Sequence, residues 1–171
     1  MIDLRKHLRH VPDFPQAGID FIDITTVLKD PKLFKEAINQ MLALVSDLEF
    51  DIVVGSESRG FIMGAPVALA ADVGFVPVRK KGKLPAETVT ICYNLEYGSD
   101  TLEMHRDAIK PGSRVLIVDD LLATGGTAQA NIDLIEQLGG KVVGLLFFIE
   151  LGYLNGREKL KDYPVYSLVT F

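Results

Sequence analysis

Apolar residues along this chain recur with two different periods, and the alternation between them predicts the fold. Leu33, Phe34, Ala37, Ile38, Met41, Leu42, Val45 and Leu48 fall at helical spacing behind Asp30 and Pro31, an N-cap residue followed by proline at the first helical position. That stripe reads as core. Residues 51–55 then form a short β-branched run, 60–71 return to helical spacing, and 75–79 form a second apolar run. Strand, helix and strand in that order make a βαβ unit. Residues 114–118, 128–138 and 142–149 repeat the pattern, with Gly139 and Gly140 placed to end the helix in a left-handed cap. Residues 88–95 and 100–106 flank a turn at 96–99 and predict a β-hairpin projecting from the sheet, with Gly98 supplying the turn. Residues 150–161 predict a short helix or turn, and 165–170 a peripheral last strand. The expectation is an α/β fold in which a mostly parallel central sheet is flanked by helices, with one antiparallel excursion.

Residues 11–25 break both periods. They are rich in Pro, Gly and Asp yet carry Phe14, Ile19, Phe21 and Ile22, which predicts an ordered loop anchored by its apolar side chains.

Composition narrows the class. With 171 residues, 48% hydrophobic and 24% charged, the chain is sized for a single domain with a substantial core, spanning residues 1–171. Cys92 is the single cysteine and so forms no internal disulfide, and the charged N-terminus lacks an apolar signal region, so a cytoplasmic protein is expected. No apolar run approaches a membrane span. A net charge of −5 argues against nucleic acid as the partner. One local exception is Arg79, Lys80, Lys81 and Lys83, a basic run that is either a solvated loop or a mobile flap over an anion.

The chemistry concentrates after residues 114–118. Asp119 and Asp120 are expected where that strand ends, at the edge of an α/β sheet where ligands bind. Ala123, Thr124, Gly125, Gly126 and Thr127 follow, a loop of small residues opening a helix, which suits a phosphate. The structural alternative is a solvated turn in which Thr124 merely caps the helix. No lysine follows the glycines as in a Walker A loop, and the spacing is not that of a dinucleotide-binding fingerprint. Gly55-Ser56-Glu57-Ser58-Arg59-Gly60-Phe61 follows the first strand of the βαβ unit and is expected at the same edge; Arg59 there is a candidate anion clamp, with a Glu57–Arg59 surface pair as the alternative. His7 and His10 are expected on one helix face without a third metal ligand, His105 reads as structural, and Cys92 shows no sign of an activated thiolate. Ser56 and Ser58 are not in a nucleophile elbow.

The acid pair with its loop resembles the signature of the type I phosphoribosyltransferases, and segment 55–61 resembles the form found in the adenine phosphoribosyltransferase family. The Phe-Pro-x-x-Gly-x-x-Phe-x-Asp-Ile pattern from Phe14 to Ile24, together with Lys81 to Pro85 and Leu95 to Gly98, is similar to the same family, so the resemblance covers effectively the whole chain. It implies the type I fold and transfer of the phosphoribosyl group of 5-phosphoribosyl-1-pyrophosphate to adenine, giving AMP and pyrophosphate. Residues 123–127 would then wrap the 5′-phosphate, and Asp119 and Asp120 would hydrogen-bond the ribose hydroxyls. Adjacent carboxylates suit that task, being acceptor-only and favouring a cationic sugar.

By the same resemblance Glu57, Ser58, Arg59 and Gly60, with Arg79 and Lys83, would bind pyrophosphate, with a strained or cis peptide near Glu57-Ser58. Residues 1–30 would form a base-binding hood in which Asp20, Phe21 and Ile22 contact adenine, and 79–106 a flexible catalytic loop. There Glu96 would meet N7 of the base and Tyr97 would close over the substrate. Mg²⁺ bound through ligand oxygens and water, with no direct protein ligand, and a homodimer are also implied. The runner-up readings are transfer to another base and a non-catalytic regulator on the same fold; the latter usually adds a basic surface, at odds with a sequence pI ≈ 5.2.

Overall fold

The computed structural model describes residues 2–95 and 98–171. The chain forms two compact units, Met1–Gln40 and Met41–Phe171. In the first, a 3₁₀ turn at Leu4–His7 leads into an antiparallel ribbon of β1 (Arg9–Pro12) and β2 (Asp20–Asp23), with Val11 opposite Phe21 and His10 opposite Ile22. The expected loop over 11–25 is thus partly a β-ribbon. Its strands are too short and too exposed for alternation to register in the sequence, and Pro12, Pro15 and Gly18 hide it further. The Phe14–Pro15 peptide is cis. His7 and His10 do not share a helix face, because the backbone extends at Leu8 and His10 lies on β1. His10 Nδ1 meets Asp20 Oδ2 at 2.6 Å.

Asp23 begins the next element, accepting from the Thr25 N–H at 2.9 Å and the Thr25 hydroxyl at 2.7 Å ahead of α1 (Thr25–Leu28). Helix α2 (Pro31–Leu44) follows, and Asp30 Oδ1 accepts from the N–H groups of Lys32 at 2.8 Å and Leu33 at 3.1 Å, a side-chain N-cap. The helix stops before the predicted Leu48. Val45 N–H and Leu48 N–H instead bond to the carbonyls three residues back, a tightening into turns at Ser46 and Asp47.

The second unit carries a seven-stranded sheet in the order β5-β6-β4-β3-β7-β8-β9. Its strands are β3 (Ile52–Ser56), β4 (Gly74–Lys80), β5 (Thr88–Leu95), β6 (Gly98–His105), β7 (Arg114–Leu122), β8 (Lys141–Glu150) and β9 (Val165–Thr170). The five from β4 to β9 pair in parallel, and the hairpin β5-β6 joins β4 antiparallel. The hairpin is tighter than expected, since Leu95 pairs directly with Gly98, so Gly98 is a strand residue.

Helices α3 (Arg59–Ala70) and α4 (Gly126–Gln137) supply the crossovers, α3 packing on β3, β4 and β7 and α4 on β5 to β8. Val54, Val115, Ile117, Leu145 and Phe147 join Ala128, Ile132 and Ile135 of α4 in one cluster. The alternate positions Val53, Leu116, Val118, Leu146 and Phe148 are equally buried, so both faces of the central strands are covered, as their unbroken apolar runs require. Two short 3₁₀ helices, Gly152–Leu154 and Gly156–Leu160, connect β8 to β9. Helix α4 closes as expected at Gly139 (φ +81°), whose N–H bonds Glu136 O while Gly140 N–H bonds Ile135 O. No helix among the described residues is long and apolar enough to cross a membrane.

Candidate functional site

The strand order creates the site. From β3 the chain crosses through α3 to β4 on one side, and from β7 it crosses through α4 to β8 on the other, so two adjacent parallel strands send their C-terminal loops apart. Ligands bind in the crevice at such a switch point. Here the crevice is a cavity of ≈ 410 Å³ lined by residues 56–59, 119–128 and Phe147. It brings together the acid pair, the glycine loop and the segment after β3, which the sequence placed at one edge from separate motifs.

Strand β7 runs past the predicted 114–118 to Leu122, because parallel pairing with β8 continues as far as Glu150. Asp119 and Asp120 therefore sit inside the end of a strand, on a rigid ladder, and not in a loop beyond it. Asp120 is 7% exposed and its Oδ2 lies 2.5 Å from Arg59 Nε; Asp119 Oδ1 accepts the Asp120 N–H at 2.9 Å. Burial pushes both carboxyls up. Asp120 adds to the rise at Asp119, whereas the Arg59 guanidinium opposes it at Asp120. The pair thus resists carrying two full negative charges until a donor or cation arrives.

At the start of α4, Gly125 is the N-cap with φ +80°, a left-handed conformation that glycine adopts without strain, and no side chain caps the helix. Thr124 is therefore not the cap of the structural alternative. The first-turn amides of a twelve-residue helix line the cavity unclaimed by any capping side chain, an arrangement suited to an anion. A second buttress was not legible in the sequence. A Cβ on Gly125 would stand 2.6 Å from Gly156 O, and one on Gly156 would stand 2.2 Å from Ala123 O, so the chain after β8 is seated directly against the loop.

The segment after β3 contains a cis peptide at Glu57–Ser58, as the resemblance implies. Gly60 is needed for close approach, since a Cβ there would meet Asp119 Oδ1 at 2.7 Å. Arg79 and Lys83 do not line the cavity. They converge on Glu57, which receives Arg79 Nε at 3.3 Å, the Lys80 N–H at 3.1 Å and the Lys83 ammonium. The Lys83 hydrogen bond holds the Glu57 carboxyl below its usual range. Arg79 Nη1 also donates to Lys83 O at 3.2 Å and the Gly82 N–H to Glu103 Oε2 at 2.9 Å, so the basic run is tied at several points.

Of the expected base contacts, Asp20, Phe21 and Ile22 lie on β2 in the first unit, where Phe14 packs edge-on against Phe21 with ring centroids 5.3 Å apart. Glu96 and Tyr97 lie outside the described residues. The hairpin does reach the loop that opens α4, because Tyr93 Oη is 3.5 Å from Thr127 Oγ1.

Sequence reasoning missed the buried pair beneath the cavity, where Asn131 of α4 donates from Nδ2 to Ser56 Oγ at 2.6 Å. A polar residue among the apolar positions of α4 was the available signal. The side chains lining the cavity offer carboxylate and hydroxyl oxygens but no imidazole or thiolate, and among the described residues no cluster of three or more potential ligands exists. That donor chemistry fits a hard cation that keeps its waters.

Comparison with known proteins agrees with this geometry. The model of the phosphoribosyl transferase domain matches residues 24–171. An adenine phosphoribosyltransferase of Acetivibrio thermocellus is 63% identical over 171 residues, covering 99% of this chain and 100% of its own. The crystal structure of adenine phosphoribosyltransferase from Thermoanaerobacter pseudethanolicus superposes with a TM-score of 0.96 at 51% identity, over 99% of this chain and 98% of that one. The Saccharomyces cerevisiae enzyme, solved with an imino-altritol bisphosphate and adenine, gives 0.91 at 44% identity, over 97% and 96%. The chain belongs to the phosphoribosyltransferase family, with adenine phosphoribosyltransferases as its full-length relatives.

Proposed function

We propose that this protein is an enzyme of purine salvage that transfers the phosphoribosyl group of 5-phosphoribosyl-1-pyrophosphate to adenine, giving AMP and pyrophosphate. The observation that carries this reading is the one cavity in which the acid pair, the uncapped start of α4 and residues 57–59 meet. The yeast relative's complex with adenine and a sugar bisphosphate mimic supports it.

In this reading the backbone amides of 123–127 take the 5′-phosphate, and Asp119 and Asp120 accept from the ribose 2′- and 3′-hydroxyls. As the C1–O bond to pyrophosphate lengthens, positive charge grows on the sugar, and the acid pair stabilises it more than it stabilises the neutral ground state. Their raised proton affinity matters here, since a cation at the sugar restores the charge that burial disfavours. Arg59, paired with Asp120 at 2.5 Å, stands between the sugar and pyrophosphate positions and serves both. Ser58, Gly60 and Glu57, with Arg79 and Lys83, form the pyrophosphate side. Asp119 and Asp120 would hold Mg²⁺ through water, and the ion when bound would supply charge neutralisation for the leaving group.

Residues 1–30 act as the base hood, Phe21 stacking on adenine while Asp20 and Ile22 present backbone groups. Glu96 manages the proton at N7, and Tyr97 with the flexible loop of 79–106 closes the site against water. The whole chain works as one phosphoribosyltransferase domain in the cytoplasm, as a homodimer. The outward face of α3 supports the dimer, for Ile62 and Leu69 are exposed there, Leu69 to 83%.

The test is product formation. Adenine, 5-phosphoribosyl-1-pyrophosphate and Mg²⁺ should yield AMP and pyrophosphate in equal amounts, with Asp119→Asn and Asp120→Asn losing turnover and Glu96→Gln slowing chemistry while still binding the donor. Preference for guanine, xanthine or orotate in a panel of bases overturns the choice of acceptor, and donor binding without pyrophosphate release overturns the activity.

A further inference from the structure

Glu57 puts an acceptor-only, negatively charged side chain beside a place that is to receive a polyanion. It does not point to solvent. The side chain is 11% exposed, with one oxygen on the Lys83 ammonium and the other receiving Arg79 Nε at 3.3 Å and the Lys80 N–H at 3.1 Å, while its own N–H bonds Val78 O at 2.8 Å. Two of the cations assigned to the leaving group, Arg79 and Lys83, therefore share the same carboxylate. The basic run is also anchored independently, through Lys80 Nζ to Asp100 at 3.1 Å and the Gly82 N–H to Glu103, so Arg79 and the stem of Lys83 keep their places without Glu57.

We propose that the Glu57 carboxylate is an internal substitute for pyrophosphate: it holds Arg79 and Lys83 in the empty site, yields them to the diphosphate group on binding, and takes them back as pyrophosphate leaves. This rests on the site reading given under Proposed function. Its consequence runs against the ordinary expectation for a residue of a binding loop. Removing the charge of Glu57 tightens pyrophosphate binding, because the anion no longer competes for its cations, and slows release. Partly exposed ion pairs of this kind are individually weak, so the two together amount to a change on the order of tenfold.

Glu57→Gln keeps the volume and one acceptor for Lys83. Titration calorimetry with pyrophosphate and Mg²⁺ should give a dissociation constant about tenfold lower for Glu57→Gln than for the wild type. Steady-state kinetics should show KM for the phosphoribosyl donor and kcat falling together. In a Lys83→Met background the advantage conferred by Glu57→Gln should shrink. Equal or weaker pyrophosphate binding by folded Glu57→Gln overturns the proposal. A wild type that takes up no pyrophosphate at all is a different failure, that of the site reading itself. The wild-type protein gives a second readout through its ¹⁵N-labelled lysine ammonium resonances. The Lys83 signal, assigned by its loss in Lys83→Met, should shift when pyrophosphate displaces Glu57, and a signal unmoved at saturation overturns the exchange.

Discussion

Gly156→Ala is the most demanding test of how the loop of residues 123–127 is held, because the residue belongs to none of the motifs proposed to bind substrate. Its added Cβ would stand 2.2 Å from Ala123 O and 3.1 Å from both Ala123 C and a Leu122 methyl. The first contact is about 1 Å short of an ordinary carbon–oxygen approach, and its partner is backbone, which cannot rotate away. Either the 3₁₀ turn at Gly156–Leu160 or the loop from Ala123 must move by about that distance. Overpacking of this size costs about 1–3 kcal/mol. For a chain of this length that lowers Tm by roughly 2–4 °C per kcal/mol. A displacement of about 1 Å in the phosphate loop costs on the order of 10²-fold in kcat/KM.

The assay is AMP formation at varied phosphoribosyl donor, paired with a thermal melt. Gly144→Ala on β8 is the control, since its Cβ would come closest to the end of Leu48, at 2.9 Å, so a small loss of Tm with unchanged kcat/KM is expected there. If Gly156→Ala keeps wild-type kcat/KM for the donor, the chain after β8 does not hold the loop and the reasoning fails.

Three further outcomes are expected. Asp119→Asn should cut turnover on the order of 10²-fold while raising Tm near neutral pH. Because burial lifts the folded-state pKa of Asp119 above its unfolded value, the native state favours the protonated acid; the stabilisation is complete below 3.8 and is lost as pH rises through the higher folded value. The Tm gain of the variant should therefore vanish in acid, and a gain independent of pH refutes the account. Asn131→Ala should lower stability by about 1–3 kcal/mol in urea unfolding by removing the donor to buried Ser56, and an unchanged midpoint would show the pair contributes nothing. Tyr163, bonded to Glu136 Oε1 at 2.7 Å, has its phenol pushed up to about 12, so its contribution to stability holds below pH 10 and disappears as pH passes about 12. Ultraviolet titration of Glu136→Gln should return the phenol toward 10.0, and a phenol that stays near 12 contradicts this.

The large elements were legible because their signals were redundant. Asp30 and Pro31 marked α2, and Gly139 with Gly140 marked the end of α4, each by a local rule that the structure obeys. The site was legible to the extent that a motif followed a strand: Arg59, Asp119, Asp120 and residues 123–127 all reached the same cavity. What escaped depended on long-range pairing. The true end of β7 is set by β8, which no pattern inside 114–122 reveals. The ribbon of β1 and β2 pairs four residues with four, too few for alternation to stand out. The capture of Arg79 and Lys83 by Glu57, and the seat of Gly156 against Ala123, join residues more than twenty positions apart.

The central position of β3 and β7 has a consequence for what the crevice admits. Their ladder pairs Gly55 with Val118, so the segment leading to Arg59 and the strand end carrying Asp119 spring from one hydrogen-bonded footing. The strand ends beneath the two halves of the crevice are then set apart by the interstrand spacing, about 4.8 Å, which side-chain changes in the loops cannot stretch. A donor lengthened by one carbon between its phosphate and its anomeric centre should be refused by the backbone itself, visible as a collapse of kcat/KM that no loop substitution restores.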